Sequence, residues 1–220
     1  PRAYAARRGA RLVEVDLPDE HGFDIESAAA TVHRAPCSAC GLSKRHLFNH
    51  HALEGGYDVV ATGHNLDDEA AVLLGNVLRW DGPYLGRQYP VLPAAPGFAR
   101  KVKPLVRLSE REMAAYCVLR GIDYIVEECP MAEGNRHLAY KELLNGLEQR
   151  SPGAKASFLF GFLERGHAHF AGEAEEERGE LTPCLVCGSP TPGDVCAFCK
   201  LGQRARTGRR GSPSAPPRSA

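Results

Sequence analysis

The stretch TPCLVCGSPTPGDVCAFCKL carries Cys184-x2-Cys187-x8-Cys196-x2-Cys199, four thiols within sixteen residues. No other feature of the chain narrows its local folding as much. Each C-x-x-C lets two thiolates converge on one metal from a tight turn, and Gly188 supplies the backbone freedom such a knuckle needs. Four thiolates close a tetrahedral site and leave the ion no open position. Cys184, Cys187, Cys196 and Cys199 are therefore expected to hold a structural Zn2+ that folds a module too small to have a core. Cys37 and Cys40 form a third C-x-x-C, in HRAPCSACGLSKR, with no second pair beside them. Six of the eight cysteines are thus spaced for metal or redox chemistry in a reducing compartment, and a cytoplasmic location is expected.

The 220 residues suffice for one sizeable core and a small appendage, with an ordinary 43% hydrophobic and 25% charged content. No apolar run is long enough to span a bilayer, so no membrane partner is expected. The opening PRAYAARRGA lacks the apolar stretch of a signal peptide. A start at Pro1 rather than methionine leads us to expect a fragment. The 27 basic and 27 acidic residues cancel, so overall charge gives no support for a nucleic-acid partner. Locally, RKVKPLVR (100–107) and RARTGRR (204–210) are basic and EAEEERGE (173–180) is acidic.

Strands are expected over 11–17, 57–63 and 122–128, where Val, Ile and Leu runs are bounded by proline or glycine. Helices are expected over 41–53, 67–80, 109–120, 135–150 and 152–166, with a loop over 81–100. Ser109-x-x-Glu112 forms a capping-box pattern, and Pro152 with Ser151 suits a helix start. The alternation predicts an α/β class, a mainly parallel sheet with helices on both faces. The expected organisation is an α/β domain over 1–170, an acidic linker over 171–180, a zinc ribbon over 181–201 and a disordered Arg/Pro/Ser tail over 202–220.

Cys129 follows the third strand directly, at the sheet edge where open α/β folds bind ligands. Three thiolates from Cys37, Cys40 and Cys129 suit a [4Fe–4S] cluster with one iron lacking a protein ligand. Zinc completed by His33 or His46, and a redox dithiol, fit the same spacing. Cys117 falls mid-helix among apolar neighbours and reads as a small buried hydrophobe. Lys44, four residues after Cys40, shares its helix face. Gly63, His64 and Asn65 end the strand 57–63, and Asp67 and Asp68 open the next helix. That pair suits a nucleotide site, or simply a helix cap with dipole compensation.

Taken together, CSACGLSKR, GHNLDDEAAVLLGN, ECPMAEGNRHLAYKELLN and CLVCGSPTPGDVCAFC resemble the tRNA 2-thiouridine synthetase family of the PP-loop ATP pyrophosphatases. The resemblance is strongest to the enzymes that thiolate 5-methyluridine at position 54 of the tRNA T-loop, and it covers about residues 1–201. It implies an ATP-dependent tRNA sulfurtransferase with a [4Fe–4S] cluster on Cys37, Cys40 and Cys129. Lys44 and Asp68 match the family's catalytic pair, and the four terminal cysteines match its zinc ribbon. Gly63, His64 and Asn65 are expected at the ATP site, with Mg2+ on the phosphates. Also implied are tRNA as substrate, a thiocarboxylated ubiquitin-like sulfur carrier as partner, and a homodimer. The family's N-terminal zinc module and SGGKDS phosphate loop are absent from these 220 residues, so the α/β domain is expected to be incomplete and the chain alone inactive. The rival readings are thiolation of the wobble uridine or an anticodon-loop cytidine, and a catalytically dead RNA-binding remnant.

Overall fold

Capping side chains and proline set most of the element starts. The computed structural model describes residues 2–33, 35–127, 129–132 and 134–211. In chain order the elements are α1 (Arg2–Arg7), α2 (Leu17–His21), α3 (Ile25–Thr31), α4 (Pro36–Glu54), β1 (Val59–Ala61), α5 (Leu66–Arg79), α6 (Gly82–Arg87), β2 (Val91–Leu92), β3 (Arg100–Val102) and α7 (Glu110–Leu119). A 3-10 turn over Pro130–Ala132 leads into α8 (Arg136–Arg150) and α9 (Ala154–Gly161). A π-turn over Phe162–Gly166, α10 (His167–Arg178), β4 (Thr182–Pro183), β5 (Pro190–Thr191) and α11 (Ala197–Gly211) complete them.

The capping box predicted at Ser109 and Glu112 is formed, and Asn65 with Asp68 makes a second one at the start of α5. The start of α9 departs from expectation. Gly153, at φ 90°, takes the cap position, and the Glu148 carboxylate accepts from the N–H groups of Gly153 (2.6 Å) and Lys155 (2.9 Å). One helix thus caps the next, in place of Ser151.

β1 pairs with β3 in parallel, Val59 opposite Arg100, and β2 pairs with β3 antiparallel, Val91 opposite Val102. The α/β class stands, but the main sheet is small and mixed among the described residues. The strands expected over 11–17 and 122–128 are not formed: 11–16 and 122–126 are irregular and Leu17 opens α2, while residue 128 lies outside the described residues. A strand exists only where a neighbour completes its ladder, and no described strand lies beside either segment. Several of their apolar side chains stay in solvent, with Val13 at 51%, Ile125 at 79% and Val126 at 76% exposure, while Val15 and Leu17 pack against the core around α3. The expected loop over 81–100 contains α6 and β2 instead.

α5 lies at the centre of the α/β part. Leu66 and Leu73 pack with Leu85, Val106 and Leu159, while Ala70 and Ala71 meet Leu144 of α8. A separate core joins Phe23, Ala28 and Ala29 around α3, Ala39 and Leu47 of α4, and Phe198, Leu201 and Ala205 of α11 together with Cys184, Cys196 and Cys199. The cysteine module is therefore not an appendage; it shares its interior with α3 and α4. The acidic run expected as a linker continues α10 through residue 178. α10 lies so close along α6 that a Cβ on Gly86 would stand 2.1 Å from the Phe170 carbonyl oxygen. The expected disordered tail is helical through residue 211, since Leu201 and Ala205 bury one face of α11. Residues 212–220 lie outside the described residues.

Candidate functional site

Pro36 opens α4 at a position where its missing N–H costs nothing, and Cys37 and Cys40 follow within the first turns on one side of the helix. The Cys37 thiol lies 3.6 Å from the Met131 carbonyl oxygen and accepts from the Asn135 side-chain amide at 3.6 Å. Met131 belongs to the 3-10 turn that follows Cys129, where the Cys129 carbonyl accepts from the Ala132 N–H at 2.8 Å. The turn after the third cysteine thus docks on the helix start carrying the first two. Cys129 itself is exposed and Cys37 and Cys40 are half-buried.

Among the described residues, Cys37, Cys40 and Cys129 do not form a group whose ligand atoms all lie within 4.8 Å, alone or with His33 or His46. A single tetrahedral zinc needs its thiolates about 4 Å apart. In this arrangement the three thiols do not close a lone-zinc site. Cys37 opens into a cleft of about 490 Å3, and Cys40 and Lys44 into a neighbouring one of about 360 Å3, walled by Val13, Val15, Leu47 and Phe48. Lys44 is exposed and makes no ion pair among the described residues.

Gly63, His64 and Asn65 follow β1 as expected. No side chain or backbone approaches within 4 Å of a Cβ placed on Gly63, so the space there is open. His64 Nδ1 is 2.8 Å from the Thr62 hydroxyl, and Asn65 is buried as the cap of α5. The Asp68 carboxylate accepts from the Asn65 N–H at 3.1 Å and pairs with Lys141 of α8 at 2.6 Å. Lys141 also pairs with Glu110. Partial burial lowers the Lys141 pKa, but its hydrogen bonds to Asp68 and Glu110 outweigh that and hold it above the ordinary lysine value. Asp67 is buried against Lys155 at 2.5 Å, with Lys155 also donating to Asn145 at 2.7 Å. The acidic pair is therefore divided: Asp67 fastens α9 to α5, and Asp68 is left at the surface edge. No hydrogen bond or ion pair joins Lys44 to Asp68.

Lys141, Lys155, Asn135 and Glu110 went unnoticed in the sequence. Lys141 and Glu110 are 31 residues apart and Lys155 and Asp67 are 88 apart, so no local spacing announces them.

In the terminal module β4 and β5 form a hairpin, Thr182 opposite Thr191, and Gly188 turns the chain at φ 72°. All four ligand atoms lie within 4.8 Å of one another, and the Cys187 and Cys196 sulfurs are 3.7 Å apart. That matches the edge, about 3.8 Å, of a tetrahedron with 2.3 Å Zn–S bonds. Burial opposes ionisation of Cys184, but N–H groups of Cys196, Val186 and Cys187 bring its thiol down to about 6. Burial, followed by its hydrogen bonds to Cys187 and Cys196, pushes Cys199 up. Four thiolates this close repel one another, and a divalent cation removes the conflict. The group can hold a metal ion.

No family model matches the sequence. Among curated proteins, the chain is 52% identical over 200 residues to the tRNA-5-methyluridine(54) 2-sulfurtransferase of Thermus thermophilus, a match that covers 91% of this chain and 61% of that one. The chain is a homologue of the tRNA 2-sulfurtransferases. The protein of the same name in Pyrococcus horikoshii is 44% identical over 193 residues, covering 88% of this chain and 61% of that one. The cytoplasmic tRNA 2-thiolation protein 1 of Chlamydomonas reinhardtii is 27% identical over 215 residues, covering 92% and 59%. The chain spans about three fifths of the length of the relatives it matches. Among solved structures, the U34-tRNA thiolase NcsA from Methanococcus maripaludis with its [4Fe–4S] cluster superposes with a TM-score of 0.69 at 24% identity, covering 92% of this chain and 63% of that one. The two share a fold. No described helix is long and apolar enough to cross a membrane.

Proposed function

We propose that this chain carries the sulfur-transfer centre of an ATP-dependent tRNA 2-sulfurtransferase whose target is 5-methyluridine 54. The observation that carries the reading is the contact of the Cys37 thiol with Met131, two residues beyond Cys129, which brings the third cysteine's segment to the first two. Homology to sulfurtransferases of that name at 52% identity supports it. Cys37, Cys40 and Cys129 would hold a [4Fe–4S] cluster, which when bound supplies an iron free of protein ligands and able to hold sulfide. Cys184, Cys187, Cys196 and Cys199 would hold Zn2+ as a structural ion.

In the reaction so read, the uracil O2 attacks the α-phosphorus of ATP and pyrophosphate leaves. Sulfur then bonds to C2 as the C2–O bond breaks and AMP departs. Lys44, an exposed cation one turn from Cys40, would offset negative charge developing on the nucleotide. Asp68, fixed by Asn65 and Lys141, would hold the Mg2+ that accompanies the phosphates or accept a proton. Gly63, with open space above it, would allow the nucleotide to approach the backbone, beside His64. We assign the sulfur supply to a thiocarboxylated ubiquitin-like carrier, the assembly to a homodimer and the location to the cytoplasm.

The test is the thionucleoside content of tRNA from a strain lacking the gene, complemented with Cys37→Ser, Lys44→Ala or Asp68→Asn. Loss of 5-methyl-2-thiouridine, restored by the unaltered gene and by none of the three variants, is the expected result. Loss of a wobble 2-thiouridine or of a thiocytidine would move the assignment to the anticodon loop. No change in any thionucleoside would leave an RNA-binding remnant.

A further inference from the structure

The cleft into which Cys37 opens has a second feature that the sulfur chemistry does not use. Three helices each contribute one guanidinium to it: Arg45 from α4, Arg79 from α5 and Arg136 from α8. Asn135 and Tyr140 line the same space, and no described carboxylate does. Among the described residues none of the three arginines has an ion-pair partner, and Arg79 donates only to the neutral Asn76 amide oxygen at 2.8 Å. Arg136 occupies the first turn of α8, where the helix dipole disfavours a cation and no acidic residue offsets it. In a chain of zero net charge, three arginines that line one cavity of about 490 Å3 without an ion-pair partner among the described residues form a local anion trap. The planar fork of arginine matches the oxygens of a phosphate in two-point contact.

We propose that Arg45, Arg79 and Arg136 form a phosphate-binding site that seats the backbone of the substrate RNA beside the cysteine centre. This rests on the reading above that the substrate is a tRNA. A nucleic-acid phosphate held here sets the position of a flanking nucleotide relative to Cys37 without reading its base.

The test measures binding of unmodified tRNA to the protein across about 50 to 200 mM salt. Arg45→Gln, Arg79→Gln and Arg136→Gln are compared with the unaltered protein and with Arg165→Gln, an exposed arginine outside the cleft. Each cleft variant is expected to weaken binding roughly tenfold at the low end of salt and to flatten the slope of log K against log[salt] by about 0.7 to 0.9. Arg136→Lys should restore most of the slope, and ATP binding should be unchanged. All three residues are exposed, and thermal melting confirms that each variant is folded. Unchanged slopes in the three variants would overturn the proposal, as would an equal flattening by Arg165→Gln, which would signify a diffuse field. Loss of ATP binding with tRNA binding intact would assign the cleft to a nucleotide phosphate and overturn it as well. If the unaltered protein does not bind tRNA at all, the functional reading fails with it; if it binds and the variants match it, only the cleft assignment fails.

Discussion

Asp67 and Asp68 are neighbours in sequence with opposite surroundings. Asp67 is 2% exposed and locked to Lys155, whereas Asp68 remains accessible and is steadied by Lys141. Only the second has an edge on which a metal ion or a proton can be met. Lys141 is a cation whose pKa is raised by its two carboxylates, so its contribution to stability is complete below the ordinary lysine value of about 10.4 and disappears as pH climbs through the raised value. Lys141→Met should therefore cost about 1 kcal/mol at neutral pH, given a partly buried ion pair with Asp68 and a solvent-screened one with the exposed Glu110. Urea unfolding should find that difference constant from pH 6 to 9 and vanishing in strongly alkaline solution. A difference that closed by pH 8 would show that the clamp is unimportant.

At the scale of elements, the parts readable in the sequence are those specified by local chemistry. Ser109 with Glu112, and Asn65 with Asp68, cap their helices through contacts three residues apart. The four terminal cysteines and Gly188 define a knuckle within sixteen residues. The illegible parts depend on distant chain. The segments 11–16 and 122–127 have strand composition, yet a ladder needs a second strand and none of the described ones lies beside them. The acidic run reads as a solvated linker until α10 is seen against α6, where Gly82 and Gly86 let the two helices close. Likewise, the spacing of Cys37 and Cys40 leaves zinc, cluster and redox chemistry equally open, and the docking of the Met131 turn, 94 residues away, is what no local spacing announces. Gly86→Ala tests the helix contact directly. Its Cβ would overlap the Phe170 carbonyl, so a loss of about 2 to 3 kcal/mol is expected. Hydrogen exchange should then rise along α10 and leave α5 protected. Equal stability to the parent would mean that α10 does not pack as closely as described.

At the scale of the molecule, there are two interiors. One surrounds α5; the other joins α3 and α4 to the cysteine module and α11. A metal bound at Cys184, Cys187, Cys196 and Cys199 would therefore stabilise the helix that carries Cys37, Cys40 and Lys44, although those residues lie far away in sequence. Zinc chelation is expected to deprotect the amides of α3 and α11 strongly and the start of α4 partly, while α5 and α8 change little. Uniform protection after the metal has been stripped would show that packing alone holds this core together.

That second interior also fixes an order of events during synthesis. Phe23, Ala28, Ala39 and Leu47 emerge from the ribosome more than 140 residues before Phe198, Leu201 and Ala205, against which they pack. The nascent chain must carry an open apolar surface, with two bare thiols nearby, while the intervening residues are made. Chaperone holding is needed most in the seconds before α11 is released.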